Sequence, residues 1–147
     1  MEHIAVVGAR KDVDLDKIEG FLTRLHGKAP DTVIVSGGLQ GVDETAEKTW
    51  LGLGGRVRSF RAYQMTPESY CVQELHLAPM YSRVSPSVNL HTVPTWADYK
   101  SATGWALRLT ILKSDRVVCF LPDDQLFTEV EDYCFADCKP FYAGASV

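Results

Sequence analysis

Two short segments of this chain have the composition of loops that bind phosphate groups. The segment Ser36-Gly37-Gly38-Leu39-Gln40-Gly41-Val42-Asp43 holds three glycines, so its backbone can adopt positive φ angles and approach a ligand closely. Its amides, and the amino end of the helix predicted after it, attract anions. The segment Gly8-Ala9-Arg10 offers a tight turn and a guanidinium that can bind a phosphate with two hydrogen bonds. The ligand-binding residues predicted here are Gly8, Ala9, Arg10, Ser36, Gly37, Gly38, Gly41 and Asp43.

The glycine-rich segment matches neither the G-x-G-x-x-G pattern nor a P-loop, so its chemistry is not that of either motif. Asp43 has a second interpretation, as the N-cap of the helix that follows, and the two roles are compatible.

A third segment, Leu121–Glu131, is acidic, and Pro122 and Asp123 near its start are further predicted ligand-binding residues. Its carboxylates can accept hydrogen bonds from ribose hydroxyls, face a cationic group of a ligand, or hold a Mg²⁺ ion that bridges to phosphates. Thr128 and Glu131 are three residues apart, which places them on one face of a helix. The alternative is a capped helix whose acidic first turn complements the helix dipole.

The apolar pattern predicts strands and helices in alternation. The predicted strands are His3–Val7, Thr32–Val35, Arg56–Phe60, Arg116–Leu121 and Pro140–Ala143. Helices are predicted from Leu15 to a stop at Gly27, over Glu44–Leu53, from a Thr95-Trp96-Ala97-Asp98 capping box onward, and over Phe127–Ala136. This order predicts an α/β fold, a Rossmann-like, doubly wound parallel sheet of five strands with helices on both faces. Ligands bind such sheets beyond the carboxyl ends of the strands, where the three segments meet.

Residues 61–94 interrupt this alternation between the third strand and the third helix. They contain no strong strand pattern and carry four of the seven prolines. Thr66-Pro67-Glu68 predicts the start of a short helix that ends near Leu77. The remainder is interpreted as a lid or an interface between subunits, the alternative being a cluster packed over the sheet edge. All 147 residues are treated as one domain.

Composition narrows the function classes further. A hydrophobic fraction of 46% and a net charge of −4 predict a folded domain and argue against a nucleic-acid module, which usually carries a basic stripe. No apolar run approaches the ~20 residues of a membrane span, and no secretion signal is visible, so a cytoplasmic protein is expected. Four irregularly spaced cysteines indicate reduced thiols. No metal site is predicted, because the pair Cys134 and Cys138 lacks further ligands.

Three stretches together resemble the SLOG superfamily, which is named after the DNA-processing Smf/DprA proteins and the "lonely guy" cytokinin-activating enzymes. The stretches are Val6–Arg10, Val35–Glu47 and Lys113–Phe120, and the Ser-Gly-Gly-x-x-Gly-x-Asp element is the most specific part. The closing Cys138-Lys139-Pro140-Phe141 is similar to the family's Gly-Lys-Pro-Val. The resemblance implies a Rossmann-like domain for nucleotide-derived ligands, and a homo-oligomer. Its branches include phosphoribohydrolases, sensors of NAD-derived signals and DNA-binding proteins.

The resemblance also implies roles for single residues. Thr128 and Glu131 match the threonine and glutamate of the enzymes' Pro-Gly-Gly-x-Gly-Thr-x-x-Glu motif, whereas Asp123 and its neighbours replace the glycines of that motif. Carboxylates there would repel a monophosphate, which disfavours hydrolysis. Arg108 lies on the helix that in these enzymes carries an arginine of the site, although out of register.

Two functional hypotheses follow. In the first, the chain binds an ADP-ribose-like, cyclic ADP-ribose-like or cyclic-nucleotide ligand without turnover, as a sensing or sequestering protein. In the second, it is an N-glycosidic hydrolase in which Glu131, or Glu47 one helical turn after Asp43, stabilises an oxocarbenium-like centre or acts as nucleophile. No cofactor is expected beyond an optional Mg²⁺ ion. A DNA-processing role is a third class, which the acidic composition disfavours.

Overall fold

The computed structural model describes residues 1–8, 14–39, 41–79, 81–96, 99–120 and 140–143, without the side chains of residues 81–96, 141 and 143. The elements in these ranges are β1 (His3–Gly8), α1 (Leu15–Lys28), β2 (Val33–Ser36), α2 (Val42–Gly52), β3 (Arg56–Thr66), β4 (Ser69–Ala78), β5 (Tyr81–Trp96), α3 (Tyr99–Leu112), β6 (Arg116–Phe120) and β7 (Phe141–Ala143). The predicted helix Phe127–Ala136 lies outside the described residues.

The described strands form one sheet in the order β5-β4-β3-β2-β1-β6-β7. Strands β3, β2, β1, β6 and β7 run parallel to one another and correspond to the five predicted strands. Strands β4 and β5 extend the sheet in antiparallel orientation. The chain builds outwards in both directions from β1, so the strand order reverses there, as in a Rossmann-like sheet. The predicted α/β fold class is therefore confirmed.

Side chains of the central strands alternate between two separate cores. Ile4 and Val6 of β1 pack with α1 and α2 in one core. Ala5 and Val7 pack with α3 in the other core. This period-2 alternation, with both faces apolar, is what a parallel strand covered by helices requires. Helices therefore lie on both faces of the sheet, as predicted.

The prediction for residues 61–94 is wrong in its secondary structure, because this region is part of the sheet. Strand β3 continues to Thr66, and β4 and β5 follow it as antiparallel neighbours. The predicted helix beginning at Thr66 is a tight turn, in which the Thr66 hydroxyl lies 2.7 Å from the Ser69 hydroxyl and 3.3 Å from the amide nitrogen of Glu68. Pro67 follows Thr66 in this turn, a position where its fixed φ angle is favourable.

Two helix boundaries also differ from the predictions. The prediction of a capping box at Thr95 is wrong, because Thr95 and Trp96 belong to β5 and α3 begins at Tyr99. Strand pairing prevails there, since Trp96 pairs with Tyr70 of β4. Gly27 does not end α1, which continues to Lys28.

Three findings concern membrane-spanning helices, metal ligands and cysteine chemistry. In the described ranges, no helix is long and apolar enough to cross a membrane. The same part of the chain contains no group of three histidine, cysteine, aspartate or glutamate side chains that could hold a metal ion. Cys71 and Cys119 are buried free thiols, and burial raises the pKa of Cys71. Its thiol is therefore protonated at neutral pH.

Candidate functional site

The carboxyl ends of β1 and β2 meet the amino end of α2, and this junction requires a glycine. A Cβ atom on Gly8 would collide with the backbone carbonyl of Phe120 and would lie 2.7 Å from Cγ2 of Val42, the first residue of α2. Gly8 therefore lets β1, β6 and α2 approach one another closely. The other two residues of the predicted segment, Ala9 and Arg10, lie outside the described residues.

The loop after β2 is held in place by its own hydrogen bonds. The Gly38 amide donates to the Ser36 hydroxyl at 3.1 Å, and the Leu39 amide donates to Oδ2 of Asp43 at 3.3 Å. Gly38 has a φ of 70° and Gly41 a φ of 84°, a region that side chains with a Cβ rarely adopt. The predicted positive φ angles are observed at Gly38 and Gly41, and the two hydrogen bonds hold Gly38 and Leu39 in place.

Asp43 braces this loop but is not the N-cap of α2. The N-cap is Gly41, which makes no side-chain capping bond, and Asp43 lies in the first turn of the helix with 3% of its surface exposed. A Cβ atom on Gly37 would lie 2.9 Å from Oδ2 of Asp43. The carboxylate therefore occupies the space that a side chain at Gly37 would need, which explains the glycine at this position.

Arg61 of β3 is a site residue that the sequence did not reveal. Its Nη2 lies 2.6 Å from Oε2 of Glu47, and its Nε donates to the Ser59 hydroxyl at 3.0 Å. Its side chain passes over Gly38, because a Cβ there would lie 2.8 Å from Cδ of Arg61 and closer to two other atoms of the side chain. With 36% of its side chain exposed, Arg61 is a guanidinium fixed beside the glycine loop and open to solvent.

Glu47, a predicted catalytic candidate, anchors Arg61. Its side chain is 7% exposed, and Oε2 carries the ion pair. Its Oε1 is buried and has no hydrogen-bond partner among the described residues. A buried acceptor without a partner destabilises the folded state by roughly 1–3 kcal/mol. Through its other oxygen, Glu47 orients the Arg61 guanidinium beside the glycine loop.

Of the other predicted residues the structure describes Arg108, and it does not bring that side chain into this site. Thr110 of α3 borders Gly37, at 3.9 Å from the position of a Cβ there. Arg108 precedes Thr110 by two residues, which is about 200° around a helix, so it points away from the glycine loop. The acidic third segment, with the Mg²⁺ ion considered for it, lies outside the described residues. Its predicted site residues are Pro122, Asp123, Thr128 and Glu131.

Acidic and basic side chains lie together beside the glycine loop. The hydrogen bond and charge of Lys48 lower the pKa of Glu44, and Arg61 adds to the same effect. Glu44 is therefore ionised at neutral pH at the first turn of α2. Arg61 thus lies near the carboxylates of Glu47 and Glu44. A guanidinium can bind an anionic group of a ligand, and carboxylates can accept hydrogen bonds from its hydroxyl groups.

No family model and no curated protein matches the sequence. Among solved structures, the chain is similar to DNA processing protein A from Helicobacter pylori, described for its single-stranded DNA binding mode. The TM-score is 0.63 at 18% sequence identity, and the match covers 97% of this chain and 64% of that protein. The two chains share the Rossmann-like fold. The chain thus spans 64% of the length of this neighbour.

This neighbour corrects one expectation from composition. The net charge of −4 was interpreted as disfavouring nucleic acid as a partner. That expectation is wrong, because a protein with this fold is described by its binding of single-stranded DNA. Net charge sums over the whole surface, whereas nucleic acid contacts only a local patch.

Proposed function

We propose that this chain is a nucleotide-binding domain whose site lies at the carboxyl ends of β1 and β2, beside Arg61 in the middle of β3. The observation that carries the proposal is Arg61, which Glu47 and Ser59 hold beside Gly38 in the loop after β2. Amides of such a loop and a guanidinium that is already oriented are the two groups that proteins combine to bind phosphate. Orientation before binding lowers the entropy lost when the ligand is bound.

The ligand class we favour is a nucleotide-derived small molecule, such as ADP-ribose or a cyclic nucleotide, held by a sensing or sequestering protein. The negative charges of the buried carboxylates Asp43 and Glu47 support this choice, since they would repel a run of phosphates. A second candidate for the same edge is single-stranded DNA, which the structural neighbour favours. Hydrolysis at Glu47 has no support, because one carboxylate oxygen is paired with Arg61 and the other is buried.

The binding test compares Arg61→Ala with Arg56→Ala, which removes an exposed arginine from the same strand. ADP-ribose, AMP, cyclic dinucleotides and a labelled oligothymidylate are titrated against each variant. We expect the affinity for one of the small nucleotide ligands, that is, ADP-ribose, AMP or a cyclic dinucleotide, to fall about ten-fold in Arg61→Ala. A change of this size is typical of the loss of a charge-assisted hydrogen bond. The Arg56→Ala control should bind like the unchanged protein.

The outcomes separate the ligand sources. If only the oligothymidylate responds to Arg61→Ala, the strand is the ligand of this edge. Equal binding by both variants across the panel would contradict the proposed site. Chromatography of the ligand after denaturing the protein tests turnover: recovery of the intact ligand supports binding alone, and release of free base and ribose phosphate supports the hydrolase.

A further inference from the structure

The strand that carries Arg61 continues past its parallel neighbour in the sheet. Strand β2 ends at Ser36, which pairs with Ser59 of β3, whereas β3 runs on to Thr66. Arg61 and the residues after it therefore project beyond the carboxyl end of β2. This outer stretch of β3 begins beside the glycine loop, so it is placed to contact the part of a ligand that the loop does not hold.

Tyr63 lies on this outer stretch, on the same face of β3 as Arg61. Side chains two residues apart on a strand point to one side of the sheet and lie about 7 Å apart. The strand is regular here, because Arg61 pairs with Gln73 and Tyr63 with Cys71 of β4, and the register shifts only after Gln64. The ring therefore lies on the side of the sheet where the guanidinium lies, one step farther out.

The ring of Tyr63 is accessible and has no ring partner among the described residues. The three exposed tyrosines there have similar exposures, 43% for Tyr63, 46% for Tyr99 and 45% for Tyr142. The ring of Tyr99 contacts that of Tyr70, and the guanidinium of Arg116 lies over that of Tyr142. In the described part of the chain, no such contact involves Tyr63. Its surface is therefore available to a ligand.

We propose that Tyr63 stacks on the base of the nucleotide whose phosphate Arg61 binds, so the ligand of this site is a nucleoside phosphate with its base intact. This inference rests on the proposed nucleotide site and specifies the part of the ligand that the loop and Arg61 do not. In such a ligand one ribose separates the phosphate from the base, which suits the two-residue step from Arg61 to Tyr63. Stacking on an aromatic side chain accepts every base, because each has a π face.

The arrangement favours a nucleotide over two other classes of ligand. A sugar phosphate or inorganic phosphate would bind the guanidinium and leave the ring of Tyr63 without a contact. An apolar segment of another protein would cover the ring but would also remove the neighbouring Arg61 guanidinium from water, which is unfavourable. A nucleotide offers an anionic group for Arg61 and a planar aromatic group for Tyr63.

The test compares AMP with ribose 5-phosphate, which keeps the phosphate and the ribose but lacks the base. Titration calorimetry measures both affinities with the full chain. Loss of one stacking contact weakens the binding of a base roughly ten-fold, so Tyr63→Ala should weaken AMP binding by about that factor. Binding of ribose 5-phosphate should be unchanged in this variant.

Two matched variants serve as controls. Tyr63→Phe keeps the ring and should bind AMP like the unchanged protein, which separates stacking from a hydrogen bond made by the tyrosine hydroxyl. Tyr142→Ala removes a similarly exposed tyrosine from β7, four strands away from β3 in the sheet. It should also bind AMP like the unchanged protein.

The results distinguish a failure of this inference from a failure of the proposed site. If Arg61→Ala weakens the binding of both compounds while Tyr63→Ala binds AMP normally, the phosphate site stands and base stacking is wrong. Equal affinities of the unchanged protein for ribose 5-phosphate and AMP, or no AMP binding, would also overturn base stacking. If Arg61→Ala alters the binding of no ligand, the proposed site is wrong and this inference fails with it.

A photolabelling measurement needs no substitution and so does not depend on the folding of a variant. The unchanged protein is irradiated with 8-azidoadenosine 5′-monophosphate, in which the reactive azide is attached to the base, and the labelled peptide is identified by mass spectrometry. We expect the label on Tyr63, and excess AMP should suppress it. A label suppressed by AMP but located outside β3 and β4 would contradict the proposed position of the base.

Discussion

Gly8 illustrates how a single residue decides whether the site can be assembled. Its hydrogen atom faces the Phe120 carbonyl and the Val42 side chain, and these contacts bring β1, β6 and α2 together. The Phe120 carbonyl belongs to the backbone, so it cannot yield as a flexible side chain would. The sequence indicated a tight turn at Gly8, whereas the structure assigns it to close packing as well.

We predict that Gly8→Ala destabilises the fold by about 3 kcal/mol, near the upper end of the cost of overpacking a well-packed core. Gly27→Ala is the matched control, because a Cβ at Gly27 meets nothing within 4 Å. In the last turn of α1, alanine should stabilise by up to about 1 kcal/mol through helix propensity. Urea unfolding of both variants measures the difference. Equal stabilities would mean that Gly8 does not need its close contacts.

At the scale of elements, the five parallel strands were predictable and the two antiparallel strands were not. The parallel strands are valine- and isoleucine-rich and buried on both faces, so they have a clear signal. The prolines around and within β4 and β5 obscured the strand pattern of this region. Pro67 occupies the turn, and Pro86 and Pro94 lie in β5, an edge strand of the described sheet where proline is tolerated.

The same misjudged element explains why Arg61 was missed. The predicted third strand ended at Phe60, so Arg61 became the first residue of a region without assigned structure. In the structure β3 runs on to Thr66. Residues two apart on a strand share a face, which places Arg61 and Ser59 on the side of α2. Only the correct strand length reveals that alignment.

The added strands are joined to the parallel sheet by a charged cluster. Arg58 of β3 donates from Nη2 and Nε to Oε1 of Glu74 on β4, at 2.7 and 3.1 Å. Oε2 of Glu74 lies 3.1 Å from Nε2 of His76. The Glu74 side chain is 6% exposed, so its charge is buried between its partners.

We predict that Glu74→Ala destabilises the protein by about 2 kcal/mol, because it leaves the largely buried Arg58 guanidinium without its carboxylate partner. Glu68→Ala in the exposed turn is the control and should change stability by less than about 0.5 kcal/mol. Thermal unfolding measures both. A cost for Glu74→Ala no larger than for the control would show that the cluster does not stabilise the junction between β3 and β4.

For the whole molecule, charge counted along the sequence does not show which charged side chains the fold brings together. Arg24 and Lys28 lie on α1, and Arg116 is far from them in sequence, so no basic run announces them. Only the pairing of β6 beside β1, with α1 above, brings the three together. A net charge of −4 therefore does not exclude a local surface on which arginine and lysine side chains lie together.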